Sequence, residues 1–277
     1  MFAPTIKTQG QSQRSNAASQ RELDLELKVA AVQQDYADLH AAVFEAAQVH
    51  RRLCAPRLVQ RGDFEIASEV FAVRHLPADF FIIEETGGNL ILGLADICGH
   101  GLAAGMWTTH LVGLLRRHAS LSREPQEILT GVNKDLRLMS PEAPLASLFL
   151  ARLDPQTGEL FYSSGGHPPP MLLRAGGELE LLTDGGPLLG VIDDAGFVRG
   201  RVQLNSGDLL LAYSDGIPEA QNNSEEEFGY GRLELELRHA WRKSSDDILF
   251  SLLGTVQDFA AGNPQSDDMS LVVVRRK

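Results

Sequence analysis

Apolar positions along this chain follow two periods. Short runs that are apolar throughout, or that alternate apolar with polar, occur at residues 64–73, 80–83, 90–95, 145–153, 160–164, 171–174, 179–182, 198–204, 209–213 and 269–274. Their length and alternation predict strands. Turn-forming clusters separate them, among them Glu85-Thr86-Gly87-Gly88-Asn89, Asp154-Pro155-Gln156-Thr157-Gly158 and Asn205-Ser206-Gly207-Asp208. Helical spacing of apolar residues covers residues 102–118, 125–139, 231–240 and 247–261. Helices arrive in pairs between groups of strands, which predicts an α+β fold: two mostly antiparallel sheets with helices packed outside.

The N-terminal part reads differently. Residues 1–20 are polar and poor in branched apolar residues, and are expected to form a disordered leader. From Leu25 onward, Leu25, Val29, Val32, Tyr36, Leu39, Val43 and Ala46 recur in alternating steps of four and three, with charged and amide residues between them. That is a heptad seam, and it predicts a helical, coiled-coil-like segment over 21–58, closed near Pro56. Such a seam either lies on the chain's own globular domain or pairs with a second chain, so a homodimer is among the expectations. The globular domain is expected over 59–277.

Composition narrows the classes. The chain has 277 residues, 43% hydrophobic and 22% charged, with a formal net charge of -12. That acidity argues against nucleic-acid binding, which needs a basic face. The start of the chain, Met1-Phe2-Ala3-Pro4-Thr5 and the Gln- and Ser-rich residues after it, has no apolar core, so neither a signal peptide nor a membrane span is expected. Two cysteines, Cys54 and Cys98, form no disulfide framework, and a cytoplasmic location is the expectation.

Candidate chemistry lies in the acids. Asp79, Asp96, Asp215, and the pair Asp267 and Asp268, each stand at the end of a predicted strand. A strand end holds a carboxylate rigidly, and several converging at one rim would offer only oxygen donors. Such a set selects Mg²⁺ or Mn²⁺ over zinc. Gly99 and Gly101 frame the turn after Asp96 and are expected to take positive φ.

The motifs Asp96-Ile97-Cys98-Gly99-His100-Gly101, Gly165-Gly166-His167-Pro168-Pro169-Pro170, Gly185-Gly186-Pro187-Leu188-Leu189-Gly190-Val191, Tyr213-Ser214-Asp215-Gly216-Ile217-Pro218-Glu219-Ala220 and Asp267-Asp268-Met269-Ser270 occur in this order. In this the chain resembles the PPM-type metal-dependent serine/threonine phosphatases of the SpoIIE/RsbU branch, from about residue 60 to the C-terminus. The resemblance implies an αββα sandwich, two Mn²⁺ or Mg²⁺ ions, and hydrolysis of phosphoserine or phosphothreonine by a hydroxide held between them. The implied substrate is a small phosphorylated STAS-domain protein, an anti-sigma factor antagonist of a partner-switching pathway. Residue by residue, Asp96 matches the carboxylate bridging both ions, and the carbonyl of Ile97 the main-chain ligand. Asp215 and Asp267 match the other carboxylates of one ion, and Asp79 the acid serving the second. Asp268 falls behind the ligands.

The chain departs from the family pattern at Pro77-Ala78-Asp79, where Gly-Gly-Asp is usual, and at Ile82, where a second Asp is usual. These departures keep a competing reading open, a weakly active or inactive phosphatase-like binding module. A hydrolase of small phosphate esters is the third. Of the remaining residues, Cys98 is expected as a small buried filler, His100 as a helix-start residue with a secondary claim to proton transfer, and His167 as a structural turn residue. Gly185-Gly186, without a following Lys-Ser, is no phosphate-binding loop. Glu225-Glu226-Glu227 is expected as a solvated loop.

Overall fold

The computed structural model describes residues 9–53, 56–73, 76–99, 101–139 and 142–277, which fall into two compact units, Met1–Ala46 and Ala47–Lys277. A single helix, α1 (Gln9–Leu53), accounts for the described part of the first. It begins inside the stretch expected to be a disordered leader. No Gly or Pro interrupts residues 11–53, and a nucleated helix gains one hydrogen bond for each further residue fixed, so it propagates through a polar but Gln-, Arg- and Ala-rich sequence. Residues 1–8 lie outside the described part. On the seam, Leu25, Val29, Val32, Tyr36 and Leu39 are all exposed, while Val43 and Ala46 are half-buried. The helix closes at Leu53 and a strand starts at Leu58, so the helical segment stops short of residue 58.

The second unit is the sandwich. One sheet is built from β1 (Leu58–Arg61), β2 (Phe64–Phe71), β7 (Met171–Leu173), β8 (Leu179–Leu181), β11 (Leu209–Tyr213) and β12 (Met269–Arg276), in the order β1-β2-β12-β11-β7-β8. The other contains β3 (Phe80–Thr86), β4 (Asn89–Ile97), β5 (Ala146–Leu153), β6 (Glu159–Gly165), β9 (Gly185–Gly186) and β10 (Gly200–Gln203). Its order is β10-β6-β5-β4-β3, with β9 beside β6 in the molecule's single parallel pairing among the described residues. Helices α2 (Leu102–Leu121) and α3 (Pro125–Met139) cover this second sheet, and α4 (Gly229–Ala240) and α5 (Ser245–Ala260) cover the first.

Three apolar layers hold these elements. Alternation along the strands sends Phe80, Ile82, Ile91 and Leu148 outward to α2 and α3, and Phe81, Leu92, Phe149 and Ala151 inward to the other sheet. The inner layer adds Phe64, Ile66, Leu210 and Val272, and the outermost packs Tyr213, Leu271 and Val273 against Leu237, Leu249 and Leu252. Capping is explicit at α5, where Ser244 Oγ accepts from the Asp247 N–H at 3.1 Å and acids stand in the first turn.

The start of α2 departs from its apolar spacing. Leu102 and Met106 fall at helical spacing with Leu111, Leu114 and Leu115, yet both are exposed, and Ala104, Gly105 and Thr108 face inward instead. Small residues are needed there because Leu76 lies directly against the helix: a Cβ on Gly105 would fall 2.4 Å from its Cδ2. The loop leading to Asp79 is thereby drawn onto α2, and Thr108 Oγ donates to the Ala78 carbonyl at 3.3 Å.

Candidate metal centre

Strand register decides where the acids stand. Between β3 and β4 Phe80 faces Ala95, so one step further along the antiparallel pair Asp79 stands across from Asp96. Between β11 and β12 Tyr213 faces Leu271, so Asp215 comes level with Met269, directly after Asp267 and Asp268. Each sheet thus delivers its acids at a strand end. The backbones there are nearly touching: a Cβ on Gly216 would lie 2.1 Å from the Asp268 carbonyl oxygen, so only glycine fits after Asp215. Gly99 and Gly101 have φ of 119° and 77°, as the turn after Asp96 requires.

Electrostatics ties the two groups of acids together. Burial, then the charges of Asp215 and Asp267, push the Asp96 carboxyl up from its ordinary 3.8 to about 7. Asp215 is raised by burial and by Asp267. Carboxylates carried by different sheets therefore feel one another, which places Asp96, Asp215 and Asp267 at a common rim. Asp79 is fully enclosed, and burial together with the Asp96 charge holds it well above the carboxylate range. It accepts a hydrogen bond from Ser270 Oγ at 2.6 Å and is itself bonded to Asp96.

Asp268 faces the other way. Its Oδ1 accepts from the Val73 N–H at 2.8 Å and its Oδ2 from the Ala78 N–H at 2.7 Å, so it clamps the loop that carries Asp79. Burial still raises its carboxyl. Asp267 is exposed, with Oδ1 accepting from the Asp268 N–H at 2.8 Å. Ile97 is the last residue of β4, its side chain buried in the helix-facing layer. Among the described residues, no three His, Cys, Asp or Glu side chains close around one point as a finished ligand cage. Carboxylates of like charge in a poorly solvated rim repel, and these approach in pairs, Asp79 with Asp96 and Asp215 with Asp267. The donors are oxygens only, a set that suits hard divalent cations.

Several residues stand other than expected. Cys98 is exposed rather than a buried filler, because β4 ends at Ile97 and the chain leaves the sheet there. Burial and the Asp96 charge push its thiol up, away from thiolate reactivity. His100 lies outside the described residues. His167 is not merely a turn residue: it is buried, and its Nδ1 shares a 2.6 Å hydrogen bond with Ser147 Oγ. Ser147 faces Asp96 across β4 and β5, so His167 sits one residue behind the acid. Ile82 is core, packed toward the helices. Sequence reasoning missed Ser270 and Glu219. Ser270 is two residues past Asp268 on the same strand face, which was the available signal. Glu219, exposed one turn after Asp215, is raised by burial and by the Asp215 charge.

An αββα sandwich with acids from both sheets meeting at one edge is the architecture of the PPM-type protein phosphatases, a metal-dependent class. Residues 86–277 match the family profile described as Stage II sporulation protein E (SpoIIE), and the chain belongs to that family. Among curated relatives, it is 21% identical over 236 residues to phosphoserine phosphatase RsbU of Bacillus subtilis (strain 168), covering 84% of this chain and 69% of that one. It is 29% identical over 134 residues to protein IcfG of Synechocystis, which is 48% of this chain and 21% of the relative, so the match spans about a fifth of IcfG. Among solved structures, the SiaA-PP2C domain of Pseudomonas aeruginosa superposes with a TM-score of 0.75 at 19% identity, covering 87% of this chain and 98% of that one.

Proposed function

We propose that this chain is a serine/threonine protein phosphatase that uses two Mn²⁺ or Mg²⁺ ions to hydrolyse phosphoserine or phosphothreonine on a small STAS-type regulatory protein. The observation that carries this reading is that strand register brings Asp79 and Asp96 of one sheet, and Asp215 and Asp267 of the other, to strand ends at one rim, where burial and then the Asp215 and Asp267 charges raise the Asp96 carboxyl to about 7. A fold does not retain such repulsion for stability, and bound cations would relieve it. Asp79, Asp96, the Ile97 carbonyl, Asp215 and Asp267 are the proposed ligands. Divalent ions held there would lower the pKa of a coordinated water and offset charge on the phosphoryl group.

The chain's own residues then have separable tasks. Asp96 and Asp215 supply negative charge from opposite sheets, so the site exists only when the sandwich is closed. Ser270 donates to Asp79 and fixes which carboxylate oxygen faces the rim. Asp268 accepts from the Val73 and Ala78 N–H groups and so holds the backbone directly before Asp79. The exposed seam on α1 supports pairing with a second copy of the chain, in keeping with a homodimer. No helix among the described residues is long and apolar enough to cross a membrane, and we place the phosphatase in the cytoplasm.

Release of phosphate from p-nitrophenyl phosphate in Mn²⁺ tests the reaction, and comparison with a phosphorylated STAS protein tests the substrate class. Asp215→Asn should abolish Mn²⁺-dependent turnover, by 10³-fold or more on the order expected for a lost ligand. Full activity in that variant would remove Asp215 from the site. A parent protein that binds Mn²⁺ but turns nothing over would favour the binding-module reading.

A further inference from the structure

The acids occupy one side of the turn 215–220, and a cavity of about 270 Å³ occupies the other. It lies between that turn, the last turn of α5 and the loop that leads to Asp267. Gly216 and Ser266, immediate neighbours of Asp215 and Asp267, both line it. A Cβ on Gly216 would sit 3.5 Å from Asp267 Cβ, so cavity and rim share a wall one residue thick. None of the lining residues is charged, although the chain carries a net charge of -12 and the adjacent rim is entirely acidic. Val256, Ala260 and Met269 give it an apolar floor, and Gln221, Gln257 and Gln265 an amide margin. The wall is tied in place: Asn263 Nδ2 donates to the Gln221 carbonyl at 3.1 Å, and Gln265 Nε2 to the Phe71 carbonyl at 3.0 Å.

We infer that this cavity is a specificity pocket, which seats one uncharged aliphatic side chain of the phosphoprotein, within three residues of the phosphorylated serine or threonine. The inference rests on the phosphatase reading above. At roughly 30 Å³ per water the cavity has room for about nine waters, enough for a leucine or methionine side chain with the main chain beside it. An extended peptide advances about 3.4 Å per residue, so a phosphoryl group at the acids brings a near neighbour to the cavity mouth. Uncharged lining favours an aliphatic occupant, whereas an acidic one would be desolvated beside like charge. Amide groups on the margin suit the main chain of that peptide.

The probes are nonapeptides of alanine, glycine and serine with a central phosphoserine, in which leucine or aspartate is moved through the three positions on either side. Phosphate release is measured in Mn²⁺ with the full chain, and p-nitrophenyl phosphate serves as the substrate too small to reach the cavity. Leucine at one position should raise kcat/KM over alanine by roughly ten- to a hundredfold, the value of burying one such side chain, and aspartate there should lower it. Ala260→Leu, which fills the floor, and Gln257→Phe, which blocks the exposed margin, should each abolish the leucine gain with p-nitrophenyl phosphate turnover unchanged. A flat leucine scan by a protein that turns over p-nitrophenyl phosphate overturns the pocket alone, as does a leucine gain that survives in both variants. No p-nitrophenyl phosphate turnover by the parent overturns the phosphatase reading and this inference with it.

Discussion

Asn in place of Asp96 gives the sharpest test of the acid rim, because its effect on stability has a sign opposite to the usual one for an ion-paired or hydrogen-bonded carboxylate. The folded-state carboxyl titrates at about 7 against an ordinary 3.8. A raised folded value means that the folded state binds the proton more tightly, so the stability this group supplies is complete below 3.8 and is lost as pH rises to about 7. At roughly 1.4 kcal/mol per pH unit, the ionised group costs the metal-free fold about 4 kcal/mol at pH 8. Asp96→Asn removes the charge and keeps the shape, but its amide cannot accept every hydrogen bond the carboxylate did. A net gain of about 2–4 kcal/mol at pH 8 is expected, shrinking to near zero at about pH 4. Urea unfolding of parent and variant in EDTA, across that range, reads the difference, since groups distant from the rim cancel and what remains is the Asp96 charge with its repulsion of Asp79 and Asp215. Mn²⁺ should stabilise the parent at pH 8 by more than the variant. A parent–variant difference that is the same at both ends of the range would refute the repulsion, and with it the argument that this rim is built for cations.

Three further outcomes follow from the same geometry. Asp268→Ala leaves the N–H groups of Val73 and Ala78 without their acceptor. The cost should be about 2–4 kcal/mol by urea unfolding, with weaker Mn²⁺ binding by calorimetry because the loop carries Asp79; an unchanged midpoint would dissolve the clamp. Gly216→Ala must open the approach to the Asp268 carbonyl, so about 2–3 kcal/mol of destabilisation is expected, and a variant as stable as the parent would show that the strand ends give way freely. His167→Gln removes a buried imidazole that burial holds down to about 3; unfolding in acid should then begin at lower pH than in the parent, and an identical acid midpoint would sink that account.

How much of this was legible in the sequence differs by element. The strand periods and paired helices of the sandwich were readable because both faces of each layer are buried, so apolar runs map onto β2, β4, β5, β11 and β12 almost end to end. Short β1, with one half-buried residue, and β9, two glycines, carry too little pattern to be seen. Asp79, Asp96, Asp215 and Asp267 were findable as acids at strand ends, and the resemblance put Asp268 behind them, but that Asp268 clamps the Val73 and Ala78 backbone was not legible. Asp267 and Asp268 are adjacent in sequence and opposite in exposure, and the Val73 and Ala78 N–H groups that Asp268 accepts from set them apart. Leu102 and Met106 show the complementary case. Their spacing was helical, but the inner face belonged to the small residues that let Leu76 approach. Local periodicity reports that a helix exists, while the partner's shape decides which stripe it buries.

Two buried groups behind and at the rim pull stability in opposite directions with pH. His167, lowered to about 3 from 6.5, supplies stability that is complete above 6.5 and is lost as pH falls toward 3. Asp96 loses its contribution as pH rises from 3.8 to about 7. Across the window they share, the His167 slope opposes that of Asp96, and Asp79, Asp215 and Asp268, all raised, add to the Asp96 side, so metal-free protein should lose net stability as pH rises through it. Cations at the acids would remove the slopes of Asp79, Asp96 and Asp215 together and leave that of His167, which touches Ser147 rather than the acids. The rising slope of His167 would then stand against that of Asp268 alone, and the metal-loaded fold would reach full stability only near neutral pH. Acids on both sheets thus make closure of the sandwich depend on what fills the rim, while the histidine behind them sets the pH at which the filled rim is most secure.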